Sequence, residues 1–135
     1  IEPGTPEGYS QIREMREYLL EIGANIVAPC AHEEKCKIEE NDWCAFSCRI
    51  ARTKVHKLLK EGDAPYEDEK FSYIAVSKIK TEKKARILRH PKIENGKITL
   101  KLCTEDGNIE EKIITKKQKE RFKIAKKLSC GDILK

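Results

Sequence analysis

Residues 30–44 read CAHEEKCKIEENDWC, with Cys30, Cys36 and Cys44 inside fifteen positions. Clustered cysteines narrow what a chain can become more than any helix or strand signal does. They are a buried apolar group, a disulfide framework or part of a metal cage. The opening segment, IEPGTPEGYSQ, has neither the basic nor the apolar stretch of a secretory signal. No apolar run approaches the ~18–20 residues of a membrane span, so no membrane partner is expected. A highly charged chain of this kind reads as intracellular, and in a reducing compartment grouped cysteines more often bind metal or do redox chemistry than pair. A chain that begins Ile-Glu-Pro is expected to be a fragment or a processed product.

Five residues separate Cys30 from Cys36, and seven separate Cys36 from Cys44. That is looser than a zinc knuckle, where about two to four residues lie between ligands. It also differs from the tight cysteine run of bacterial ferredoxins. A loop this long is free to curl around a bulky centre, which then needs a fourth ligand. His32, Cys48, Cys103 and Cys130 are the candidates. Cys48 shares a face with Cys44 if that segment is helical. Cys103 ends the alternating segment KITLKLC, on the side opposite Ile98, Leu100 and Leu102. On spacing alone Cys48 and Cys103 stand level, against the plain alternative that Cys103 and Cys130 are small buried hydrophobes. His32 is expected beside the centre or in solvent rather than on the metal. His56 and His90 are isolated and read as surface or packing residues. Trp43 either shields a centre from water or belongs to the core. The run Glu67, Asp68, Glu69 reads as a solvated loop or as partners for Arg and Lys.

Around this loop the chain is punctuated clearly. Thr5 and Pro6 open a helix that Gly23 stops, with Ile12, Met15, Leu19 and Ile22 as its apolar stripe. The run ANIVAP then reads as a buried strand, so that helix, turn and strand make half an α/β unit with the cysteine loop at the strand's carboxyl end. A second helix is expected from about Asp42 to Gly62, then the loop EGDAPYEDE, then one strand over FSYIAVSKI, residues 71–79. The likeliest boundary is TEKK, 81–84, which divides a lobe 1–82 from a lobe 83–135. In the second lobe ARILRH, KITLKLC and NIEEKIIT are strand candidates, with hairpin signals at Asn95-Gly96 and Asp106-Gly107. KKQKERFKIAKKL closes as a basic helix with Phe122, Ala125 and Leu128 on its apolar side.

Charge follows the same division. Residues 1–82 hold 12 Lys+Arg against 16 Asp+Glu, and residues 83–135 hold 16 against 7. The second lobe is therefore the candidate surface for a polyanion. No glycine-rich nucleotide motif, HExxH or GxSxG occurs in the chain.

The succession EPGTPEGY, GANIVAPCAHEEKC, DWCAFSCR, YEDEKFSYIAVSK, LCTEDG and a terminal Gly-Asp resembles the second half of the Rsm-type small ribosomal subunit methyltransferase-like family. That family has bacterial and mitochondrial members, the latter acting in small-subunit assembly. The resemblance implies an α/β chain that forms the C-terminal part of a Rossmann-like methyltransferase fold with a cysteine-rich metal-binding loop. A small antiparallel β segment and a basic helix would follow. It implies a 4Fe–4S iron–sulfur cluster on Cys30, Cys36, Cys44 and Cys103, which demotes Cys48 and Cys130; zinc is the rival metal. Glu2, Pro3, Gly4, Thr5 and Pro6 would line the edge of an S-adenosylmethionine cleft whose glycine-rich part lies upstream in the family. The cofactor is therefore expected only in a full-length protein, and no catalytic residue is assigned. Whether the whole is an enzyme stays open. The expected partner is the small ribosomal subunit and its rRNA, and the expected compartment is the cytoplasm of a bacterium or the mitochondrion of a eukaryote. The alternatives are half of an active rRNA methyltransferase, a zinc-binding nucleic-acid module and, last, an electron carrier.

Overall fold

The computed structural model describes residues 1–134; Lys135, the last residue of the basic lobe, lies outside the described residues. The chain opens with β1 (Glu2–Pro3) and α1 (Pro6–Glu21). Thr5 caps α1, its Oγ1 accepting the Gly8 N–H at 3.1 Å, a contact worth about 1 kcal/mol. Gly23 supplies the stop with φ +84°. The buried face of α1 differs from the expected stripe. It is Gly8, Tyr9, Ile12 and Arg16, while Met15 and Ile22 are exposed. Two contacts turn the helix this way. A Cβ at position 8 would sit 2.1 Å from the Pro3 carbonyl oxygen, so only glycine lets the helix cross there. Arg16 must also face inward to reach the carbonyls of the cysteine loop.

β2 (Asn25–Ala28) pairs antiparallel with β5 (Ala75–Ser77). The expected succession of helix, glycine turn and strand is present in α1, Gly23 and β2, but among the described residues every strand pairing is antiparallel. The chain is α/β in content, built from antiparallel sheets.

The helix expected from Asp42 to Gly62 is largely a strand. β3 (Phe46–Ala51) pairs residue for residue with β4 (Tyr66–Ser72), and β1 adds to the other edge of β4. Only α2 (Lys54–Leu59), capped by Thr53, is helical. The acidic run explains the switch, because it is the partner strand rather than a loop. Arg49 makes a two-point pair with Asp68 at 2.8 and 3.0 Å. Arg52 and Lys60 both donate to Glu67 Oε2, at 2.8 and 2.9 Å. Cross-strand pairing of this kind overrides local periodicity. The strand expected over 71–79 divides into the end of β4 and β5, because Tyr73 turns between them to stack near Phe46 and Phe71, at 5.5 and 5.7 Å between ring centres.

The second lobe centres on β8 (Lys97–Cys103). β9 (Ile109–Thr115) pairs along its length, β7 (Lys92–Glu94) pairs with its start, and β6 (Arg86–Ile87) with its end. The Asn95-Gly96 signal serves β7, a strand the sequence did not announce because Pro91 precedes it and it is three residues long. α3 (Lys119–Ala125) lays Phe122 and Ala125 over Ile87, Ile98, Leu100, Leu102 and Ile114, with Leu128 packed alongside.

The β3–α2–β4 arm yields a test. Lys60, reinforced by Arg52, holds the Glu67 carboxyl at about 2, against ~4.3 in an unfolded chain. A depressed folded value contributes stability above the unfolded value and loses it as pH falls toward the folded one. Glu67→Gln should therefore speed amide hydrogen exchange in β3 and β4 at neutral pH. That difference from wild type should shrink below about pH 4. A difference independent of pH would contradict the ion-pair account.

Candidate metal centre

Pro29 ends β2 and releases the chain into the cysteine loop, so Cys30 stands at the loop's entrance. Cys36 lies at its middle, and Cys44 at its exit two residues before β3. Cys103 comes from far along the chain, at the last position of β8. All four line one cavity of about 40 Å³. Its walls are mainly apolar and include Ile12, Ile38, Tyr73 and Leu88; no carboxylate lines it. Cys103 is buried in a small cluster with Ala31 and Leu88, against which Cys44 and Ile109 pack. That cluster takes members from both lobes.

The electrostatics are those of four thiols held together. Burial pushes the Cys44 thiol up strongly, and Cys30, Cys36 and Cys103 beside it push it further. Burial also raises Cys103, with the neighbouring Cys30 and Cys36 adding to it. At Cys30 burial again dominates, and the Arg16 guanidinium pulls the other way. The Tyr9 hydroxyl lies 3.3 Å from Cys36 Sγ. Burial raises the Tyr9 pKa, and Cys36 raises it further. A cavity in which each thiolate penalises the next is stabilised by a centre that takes several thiolates at once.

Donor chemistry and spacing bear on which centre fits. Among the described residues no three His, Cys, Asp or Glu side chains come close enough together to hold a single metal ion. A zinc ion with Zn–S bonds of about 2.3 Å draws its four sulfurs to within roughly 4 Å of one another. A core of several irons holds its thiolates further apart and asks for sulfur donors. Thiolate donors serve either kind of centre.

The remaining candidates lie elsewhere or do other work. Cys48 is exposed on β3 opposite Glu69 and does not line the cavity. The Cys130 thiol donates to the Leu88 carbonyl at 3.3 Å and faces a separate groove. His32 lines the cavity but is 3% exposed rather than in solvent; burial, then Arg16, lowers its pKa. Its Nδ1 has no partner and sits against Gly107, where a Cβ would be 3.3 Å away. His56 belongs to α2 and His90 follows Arg89, both away from the cavity. Trp43 does not face the cavity; its Nε1 donates to the Gly4 carbonyl at 3.1 Å. Glu2 and Pro3 form β1, Gly4 hugs the backbone of Lys70, and Thr5 and Pro6 start α1. Pro6 lines an open groove with Tyr9 and Trp43.

Three residues escaped sequence reasoning, Tyr9 among them. Asp42 receives Arg89 at 2.5 Å and Lys101 at 3.0 Å, which ties the cysteine loop to the second lobe. Arg16 enters the cavity wall from α1. Its position four residues after Ile12, on the face that also carries Tyr9, was the available signal.

A loop and a distant hairpin bring four thiols to the wall of one cavity, in a chain of antiparallel sheets and helices. The chain belongs to the family described as mitochondrial small ribosomal subunit Rsm22, whose model matches residues 1–135. It is 25% identical over 179 aligned positions to the Rsm22-cox11 tandem protein 2, mitochondrial, of Schizosaccharomyces pombe, an alignment covering 98% of this chain and 23% of that protein. It is 24% identical over 152 positions to the human ribosome assembly protein METTL17, mitochondrial, covering 99% of this chain and 31% of that protein. The chain thus spans less than a third of the length of these curated relatives.

Proposed function

We propose that this chain is the iron–sulfur-binding part of a small-subunit ribosome assembly factor and that it docks on rRNA. One observation carries the proposal: Cys30, Cys36, Cys44 and Cys103, from two distant segments, line the same buried cavity. Membership of a family described by the small ribosomal subunit supplies the setting, as does similarity to a protein named for ribosome assembly. The same names favour a mitochondrial compartment over a bacterial cytoplasm.

Bound there, a cluster supplies one inorganic node shared by four thiolates. The chain's own residues prepare for it. The apolar walls exclude water, Tyr9 stands at Cys36, and Asp42 holds the loop's exit against Arg89 and Lys101. Structural metal sites contribute about 10–16 kcal/mol of apparent binding energy, as much as a whole domain's stability. Zinc, which also accepts thiolate ligands, is the rival occupant. S-adenosylmethionine chemistry belongs to the rest of a longer protein. Within this chain Glu2 to Pro6 serve an edge strand and a helix start.

For RNA, the stretch from the turn after β9 to just past α3 presents Lys116, Lys117, Lys119, Arg121, Lys123, Lys126 and Lys127, all exposed, with Glu120 the one acid among residues 116–127. Such a surface reads phosphate and shape rather than base sequence.

Anaerobically purified protein should be brown and carry both iron and acid-labile sulfide. Cys30→Ser and Cys103→Ser should lose most of both, while Cys48→Ser keeps the wild-type content. A Cys103→Ser protein with full iron would remove the distant hairpin from the centre, and zinc without iron in the wild type would replace the cluster. Binding to small-subunit rRNA should weaken with salt by about 0.9 log units per log unit of salt for each phosphate neutralised. Replacing Lys116, Lys117 and Lys119 by Gln should flatten that slope; an unchanged slope would move the RNA surface elsewhere.

A further inference from the structure

Arg16 occupies a place on the inward face of α1 where an aliphatic side chain would pack. It is 3% exposed. Its Nη2 donates to the carbonyls of His32, at 3.3 Å, and Glu34, at 2.6 Å, so one guanidinium spans the turn between Cys30 and Cys36. Its Nη1 reaches the Glu17 carboxylate at 3.0 Å, but Glu17 is 57% exposed and shares its charge with water. Nε has no partner. A buried guanidinium is costly unless an anion faces it. Among the described residues, none that lines the cavity is Asp or Glu. The thiols of Cys30, Cys36, Cys44 and Cys103 line the same cavity as Arg16.

We infer that Arg16 is the positioning residue of the cysteine centre: it clamps the 32–34 turn and supplies the buried positive charge that favours a net-negative, thiolate-ligated centre and its reduced form. This rests on the cluster reading above. Four thiolates outweigh the charge of a cluster core, and each added electron makes the site more negative, so a nearby fixed cation raises the reduction potential. Two carbonyls held by one planar fork are what arginine offers and lysine does not.

The test uses this chain purified anaerobically as wild type, Arg16→Gln and Arg16→Lys. The readouts are iron and sulfide per chain, the rate of iron loss to a chelator, and the midpoint potential from a dye-mediated titration. Arg16→Gln should shift the one-electron equilibrium about tenfold toward the oxidised form, 59 mV in midpoint, and lose iron about tenfold faster. Arg16→Lys should hold the wild-type midpoint yet also lose iron faster, because it keeps the charge but not the fork. If Arg16→Gln fails to fold, the Arg16→Lys pattern of unshifted midpoint with faster iron loss supports the inference, and wild-type iron retention in that variant overturns it. An unshifted midpoint in folded Arg16→Gln overturns it, whatever the iron content, and so does a wild-type centre that takes up no electron. Absence of iron from the wild type overturns the cluster reading itself and this inference with it.

Discussion

Four thiols that share a cavity must be carried there by segments with little structure of their own. Residues 29–45 contain no helix or strand, and their cysteines stay in place through contacts to other elements. Tyr9 and Arg16 reach them from α1, Leu88 and Ile109 pack from the second lobe, and Asp42 is held by Arg89 and Lys101. The fourth thiol, on Cys103, ends the most regular strand of the molecule. A rigid strand end faces a compliant loop, an arrangement that lets a large centre be enclosed after the frame around it has formed. Burial and mutual repulsion leave these thiols reluctant to ionise without a partner.

The same geometry accounts for how the lobes cohere. The second lobe has its own apolar core under α3, so it needs little from the first. The first lobe has a thin one. Its α2 contributes no buried residue, and much of α1's apolar surface is exposed. What joins them is the small cluster of Ala31, Leu88 and Cys103, together with polar contacts. Glu33 Oε1 receives the Ile26 N–H and Lys83, Lys83 also contacts the Ile26 carbonyl, and Lys37 reaches Asn108. Partly exposed ion pairs contribute little each. Under the proposal above, a metal centre held by Cys30, Cys36, Cys44 and Cys103 would add to that cohesion.

Features decided locally were legible in the sequence. The Thr5 cap, the Gly23 stop, the alternation of Ile98, Leu100 and Leu102, the Asp106-Gly107 turn and the α3 stripe all depend on neighbours a few residues away. Features decided across the chain were not. β3 is a strand because an acidic strand twenty residues later carries the partners for its arginines. β2 finds β5 rather than a parallel neighbour. At the cysteine site, local spacing grouped Cys30, Cys36 and Cys44, which line one cavity with Cys103. Between Cys48 and Cys103, periodicity was no guide, because that choice depends on which segment folds back over the loop. Arg16 was hidden for the same reason: its role is fixed by carbonyls sixteen and eighteen residues away.

Anomalous scattering at the iron absorption edge, from crystals of anaerobically purified protein, tests the central claim most directly. The account predicts one compact iron peak inside the cavity, with the sulfurs of Cys30, Cys36, Cys44 and Cys103 all bonded to it. An iron peak that leaves the Cys103 sulfur unbonded, or iron seated anywhere else on the chain, would contradict it.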